Sequence, residues 1–124
     1  MKRDMELIRE ILFTVENQYK PGEIYIKDLE IQGYEKTLVA EHCDLLYQQG
    51  FIKSYKIGGR NPVHTIMVSN LTSSGYDYLE LIRNETIWNK TKSEIESKQI
   101  PQTFEAIAKI AGIFVGNVID QMKG

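Results

Sequence analysis

The sequence predicts an α+β fold that is mostly helical, and three observations carry that expectation. From about Glu35 to Gln49 apolar residues recur at helical spacing and stop at Gly50-Phe51-Ile52. Two stretches of interleaved apolar and polar residues then flank the turn-forming run Gly58-Gly59-Arg60-Asn61-Pro62. Helical periodicity returns after Leu71-Thr72-Ser73-Ser74-Gly75 and continues through Ile119.

Taken in order, the elements are justified as follows. Asp4 is a good N-cap, and Met5, Ile8, Leu12 and Val15 share one face of a first helix that Leu7 and Ile11 widen. Pro21-Gly22 ends it, because proline lacks the amide a helix needs and glycine accepts turn geometry. The alternation around Ile24 and Ile26 suits a short strand over Glu23–Lys27, and Asp28–Gly33 reads as a turn or a curtailed helix. In the next helix Val39, Cys43 and Leu46 form the buried stripe, with Leu38, His42 and Leu45 beside them and Gly50 as the natural C′ residue. Lys53–Ile57 and Val63–Val68 make a β-hairpin with a basic tip. Thr72 can cap a helix in which Tyr76, Leu79, Ile82 and Thr86 share a face, with a break expected near Asn84–Thr86. Pro101 sits where a last helix should start, and Phe104–Ile119 is mostly apolar. That run is shorter than the roughly 20 residues a membrane span needs and contains Lys109, so a buried or interface helix is expected and no membrane partner.

Composition narrows the functional classes. The 124 residues fit one domain, with residues 1–72 as its core and 73–124 as C-terminal helices, and the chain is long enough to bury a core without disulfides or metal. Fifteen Lys and Arg against 17 Asp and Glu leave a net charge of -2, so any nucleic-acid surface must be local. The single Cys43 cannot form an internal disulfide and Met1-Lys2-Arg3 leads into charged residues, which points to a cytoplasmic setting. The Asn-x-Thr triplets at Asn70, Asn84 and Asn89 are then chance and capping chemistry. No Gly-rich phosphate loop, nucleophile elbow, metal-ligand cluster or paired-carboxylate site stands out, so neither an enzyme nor a cofactor is expected.

The order of elements reads as a winged helix-turn-helix with a two-strand wing and one or two additional C-terminal helices. Val39, His42-Cys43, Leu46 and Gly50-Phe51-Ile52 resemble the V-x-x-H-L-x-x-L-x-x-x-G-L-V pattern at the end of the recognition helix and first wing strand of many bacterial winged-helix regulators. Leu71-Thr72 and Gly75 resemble the LT-x-x-G that follows the wing in the same proteins. Met1 to Arg9, Gly75-Tyr76 and Ile87-Trp88-Asn89-Lys90 are similar to an uncharacterised family, a domain of unknown function, of small bacterial and phage-associated proteins. That resemblance spans nearly the whole chain and implies a winged helix and a mobile-element context, with no activity and no site residues.

Two functions follow from the charges. As a DNA-binding regulator of a prophage or similar element, the chain would turn Lys36, Thr37, Ala40 and Gln48 to the major groove and hold phosphates with Lys53, Lys56 and Arg60, double-stranded DNA being the partner. Glu41 and Asp44 lie on the same outer face and repel phosphate. They favour the alternative, a winged helix that serves as a protein-interaction module without binding DNA. Charged residues on an exposed hairpin also serve simply to block edge pairing. His42 and Cys43 invite a metal or nucleophile reading, but adjacent helix positions point about 100° apart and a metal site needs about three or four convergent ligands. On the last helix Ala108, Gly112 and Gly116 recur every four residues, and with Val115 and Ile119 they are the expected homodimer interface; the opposing account is packing against the helix after Thr72.

Overall fold

The computed structural model describes residues 1–123, and among them lie five helices and one two-stranded antiparallel sheet. The chain divides into two compact units, Met1–Tyr76 and the remainder from Asp77. No helix of the described residues is long and apolar enough to cross a membrane.

In the first unit α1 spans Met5–Gln18, and Asp4 Oδ1 caps it by accepting from the amides of Glu6 (2.9 Å) and Leu7 (3.2 Å). Its buried face, Met5, Leu7, Ile8, Ile11, Leu12 and Val15, is the one the periodicity indicates. The expected strand over Glu23–Lys27 shrinks to a single antiparallel bridge between Ile26 and Val68. Ile24 points to solvent at 77% exposure, and beyond Ile26 the Asp28 carboxylate, rather than backbone, takes the Ile66 amide (3.1 Å). The same stretch forms no helix before Gly33. The Leu29 amide donates to the Ile66 carbonyl (2.7 Å), which holds the chain against the hairpin and away from helical bonding.

Helix α2 spans Lys36–Gln48 and buries Val39, Cys43 and Leu46. Gly50, at φ +78°, ends it in a Schellman motif: its own amide donates to the Tyr47 carbonyl (2.9 Å) and the Phe51 amide to the Leu46 carbonyl (2.9 Å). Strands β1 (Tyr55–Gly58) and β2 (Thr65–Val68) pair antiparallel with Tyr55 opposite Val68 and Gly58 opposite Thr65. The strands are shorter than the alternating pattern suggests, although an Ile52–Leu71 bridge prolongs the pairing at the base. After the hairpin Thr72 Oγ1 accepts from the Gly75 amide (3.0 Å) at the start of α3 (Ser73–Ile82). A Cβ on Gly75 would collide with the Phe51 carbonyl, so only glycine lets the helix approach that backbone.

In the second unit Asn84 accepts from the Ile87 amide (3.0 Å) and caps α4 (Glu85–Ser97), which places the helix break within the expected Asn84–Thr86 window. Trp88, Thr91 and Ile95 are its buried residues. Helix α5 spans Phe104–Lys123. It starts after Pro101, not at it, because Thr103 Oγ1 takes the Ala106 amide (3.0 Å) as its cap. Three helices rather than one or two therefore follow the hairpin. Tyr78 packs edge-on to Phe104 with ring centroids 5.6 Å apart.

Candidate interaction groove

Alternation along β1 sends Tyr55 and Ile57 to one face of the hairpin and Lys56 to the other. On the first face they meet the outer side of α2 across a groove of about 580 Å³, lined by Thr37, Ala40, Glu41, Asp44 and Leu45 from the helix, Arg60 and Val63 from the hairpin loop, and Met1. Ala40 (6% exposed) and Val63 form a buried floor, while Ile57, Arg60, Glu41 and Met1 stand exposed around it.

One wall is braced by hydrogen bonds. Tyr55 Oη donates to Asp44 Oδ1 at 2.6 Å, and Gln48 Nε2 donates to Asp44 Oδ2 at 2.5 Å. Burial, followed by the bond to Asp44 and that carboxylate's charge, pushes the Tyr55 hydroxyl up to about 12, so it stays a donor at neutral pH. Tyr47 packs edge-on to Tyr55 at 5.8 Å.

The entrance to α2 is held by a second polar staple. Lys36 Nζ lies 2.6 Å from Asp28 Oδ2 and 3.6 Å from Glu30 Oε1, and also donates to the His64 carbonyl (2.7 Å). The bond to Lys36 is the largest cause holding the Asp28 carboxyl below its ordinary value, and the bond to Asp28 is likewise the largest that raises Lys36.

The residues expected to meet DNA are thus divided. Thr37, Ala40 and Arg60 come together in the groove. Ala40 is floor rather than outer surface, because the hairpin folds over that turn of the helix. Lys36 is spent on Asp28, Gln48 is spent on Asp44, and Lys56 sits on the opposite hairpin face with its Nζ 5.1 Å from the Tyr25 ring centroid. Lys53 is exposed at the hairpin base, where its amide donates to the Asn70 carbonyl. A second concavity of about 600 Å³ adds the carboxylates of Glu6, Glu10 and Glu30 beside Tyr34, whose hydroxyl is raised by burial first and then by Asp4, Glu6 and Glu10.

His42 is fully buried and does structural work. Its Nε2 accepts from the Asp4 amide (2.9 Å) and its Nδ1 donates to the Leu38 carbonyl (2.8 Å), a pattern that defines the Nδ1–H tautomer and ties α2 to the start of α1. Cys43 is buried too, and desolvation pushes its thiol up to about 12, far from nucleophilic character. Among the described residues no group of three or more His, Cys, Asp or Glu side chains could hold a metal. Sequence reading passed over Leu45, Ile57 and Val63 as lining. The period-two pattern that pairs Ile57 with Tyr55 was the available signal for one of them.

On α5, Ala108, Gly112, Val115 and Gly116 are half-buried and Ile119 is 47% exposed.

The fold and groove define a small α+β protein in which a hairpin shields one side of a central helix. Over residues 2–101 the chain matches the family described as "Hypothetical protein (DUF2513)", and it belongs to that family. It is also 30% identical over 119 residues to a protein of Haemophilus influenzae (strain ATCC 51907 / DSM 11121 / KW20 / Rd) that bears the name "Uncharacterized protein", an overlap covering 96% of this chain and 99% of that one. No solved structure matches the chain.

Proposed function

We propose that this is a winged helix-turn-helix protein of the cytoplasm, and that its groove between α2 and the wing binds a protein segment carrying both apolar and basic side chains. The order α1, Ile26 bridge, α2, hairpin supports the winged-helix reading, with α2 as recognition helix and β1–β2 as wing. The observation that carries the function is the groove itself: a buried apolar floor of Ala40 and Val63, flanked by the apolar Leu45 and Ile57, under a rim that bears Glu41 and Asp44. Phosphate contacts supply most nonspecific DNA affinity, and of the cations that could make them Lys36 is already paired and Lys56 is turned to the opposite hairpin face, which leaves Lys53 and Arg60. Apolar anchors in a pocket with a charged rim are the usual anatomy of a protein contact.

The second reading, a DNA-binding regulator of a mobile element, is favoured by one observation: Arg60, Asn61 and His64 are exposed at the wing tip, and Arg60 shares the groove with Thr37. A single titration series separates the two. A short amphipathic Lys/Leu peptide should shift amide resonances of α2 and β1, and Glu41→Lys should abolish those shifts without unfolding the protein. Mixed-sequence duplex DNA should produce no binding at about 50 mM salt. DNA binding that weakens tenfold or more between about 50 and 200 mM salt, and is lost in Arg60→Ala, would replace this reading with the second.

A further inference from the structure

Helix α5 carries two apolar seams. Phe104, Ile107, Ala111 and Phe114 recur at intervals of three and four, and α4 lies against this line: the first three are buried and Lys90 Nζ stands 6.0 Å from the Phe114 ring centroid. Ala108, Gly112, Val115, Ile119 and Met122 recur at intervals of four, three, four and three, the spacing of a coiled-coil seam. At 3.6 residues per turn this second line sits roughly 80° around the helix from the first. A helix with two seams at such an angle needs two neighbours, as in a helix bundle.

Among the described residues, α4 supplies one. It has 13 residues against 20 in α5, about 20 Å of helix against about 30 Å. Ile119 is 47% and Met122 81% exposed. A Cβ built on Gly112 or on Gly116 meets nothing within 4 Å. Mid-helix glycine weakens a helix, and no neighbour among the described residues requires it here.

We propose that the second seam pairs antiparallel with the same seam of a second copy. In this register Ala108 faces Ile119 of the partner subunit and Gly112 faces Val115 of the partner subunit, so each small residue lies opposite a large one, which the close approach of two helices requires. The same register sets Lys123 beside Glu105 of the partner subunit at both ends, a charge match repeated by the twofold axis. A parallel pairing would set Gly112 against its own copy and leave a void there. Antiparallel helix dipoles add to the preference.

The proposal stands apart from the groove and is tested apart from it. Sedimentation equilibrium of the full chain should give a dimer at tens of micromolar. Ile119→Glu, at an exposed position, should raise the dimer dissociation constant at least about 100-fold with helicity unchanged, because a carboxylate would be buried without a partner. Lys123→Glu should weaken the dimer and the double variant Lys123→Glu, Glu105→Lys should restore it. Mixed Gly112→Cys and Val115→Cys chains should cross-link with each other in preference to themselves. A chain that is monomeric at 100 µM, a dimer indifferent to Ile119→Glu, or cross-linking of Val115→Cys mainly with itself would each overturn the assignment.

Discussion

The two units keep their shape by different means. In the first, polar side chains reach between elements: His42 joins α2 to α1, Asp28 joins the loop before α2 to both β2 and Lys36, and Asp44 joins α2 to β1 through Tyr55. In the second, the capping side chains Asn84 and Thr103 serve their own helix ends, and aromatic contacts such as Tyr78 on Phe104 and Lys90 over Phe114 join the helices. A buried hydrogen bond between elements fixes one arrangement, because breaking it strands a desolvated donor or acceptor. Apolar seams specify less, and a spare one remains able to accept a partner. The first unit thus presents a braced groove, and the second a helix that leaves Ile119 and Met122 exposed near its end.

Three substitutions should break the comparison or sharpen it. Gly75→Ala forces a methyl into the Phe51 carbonyl, and with backbone on both sides of the clash we expect urea denaturation to show a loss of at least about 3 kcal/mol. His42→Ala removes the acceptor for the Asp4 amide and opens a void between α1 and α2, for an expected loss of about 2–3 kcal/mol. Thr91 is equally buried, but its hydroxyl donates only to the Ile87 carbonyl of its own helix (2.8 Å). Thr91→Val should therefore change stability by less than about 1 kcal/mol. Equal losses at His42 and Thr91 would show that the two units are held in the same way.

The Asp28–Lys36 staple should appear in the pH dependence. Asp28 titrates below its ordinary value in the folded chain, so its contribution is complete above the ordinary carboxylate range near pH 4 and fades as pH falls through the lowered folded value. Lys36 is raised, so its contribution is complete below the ordinary lysine value near 10.4 and fades as pH climbs through the raised one. Thermal melts of the native chain should decline at both ends of the pH range. Asp28→Asn should flatten both declines, while its amide oxygen can still accept from Ile66. Unchanged limbs in that variant would mean that the pair contributes nothing to the fold.

How much of this was legible depended on whether the signal was local. The helix after Thr72 and its break at Asn84 could be read because caps are short-range chemistry, and the end of α2 could be read because Gly50 must take a positive φ. The fate of Lys36 could not. It forms its pair with Asp28, eight residues back, only because the intervening loop lies along β2, which is a tertiary fact. In sequence Asp28 is one carboxylate in a turn, with nothing local to mark its role. The groove was half legible: period-two alternation puts Tyr55 and Ile57 on one face and Lys56 on the other, yet nothing local says which face meets α2.

The smallest expected effect lies at the end of α4, where the two units are most alike. Both α2 and α4 finish in a Schellman motif: the Phe51 amide donates to Leu46 in one and the Ile100 amide to Ile95 in the other, at 3.0 Å. At the position that must turn left-handed, α2 has Gly50 and α4 has Gln99, with φ +54°. A side chain there pays a steric penalty that glycine avoids. Gln99→Gly should therefore stabilise the chain by about 0.5–1 kcal/mol, less whatever glycine adds to the freedom of the unfolded chain. The reverse change in the first unit, Gly50→Gln, should destabilise by about 1 kcal/mol, since a Cβ there meets no neighbour and only backbone strain acts. Chemical denaturation of the two variants compares the caps directly. If both shifted in the same direction, packing around the side chain rather than the sign of φ would be what governs these helix ends.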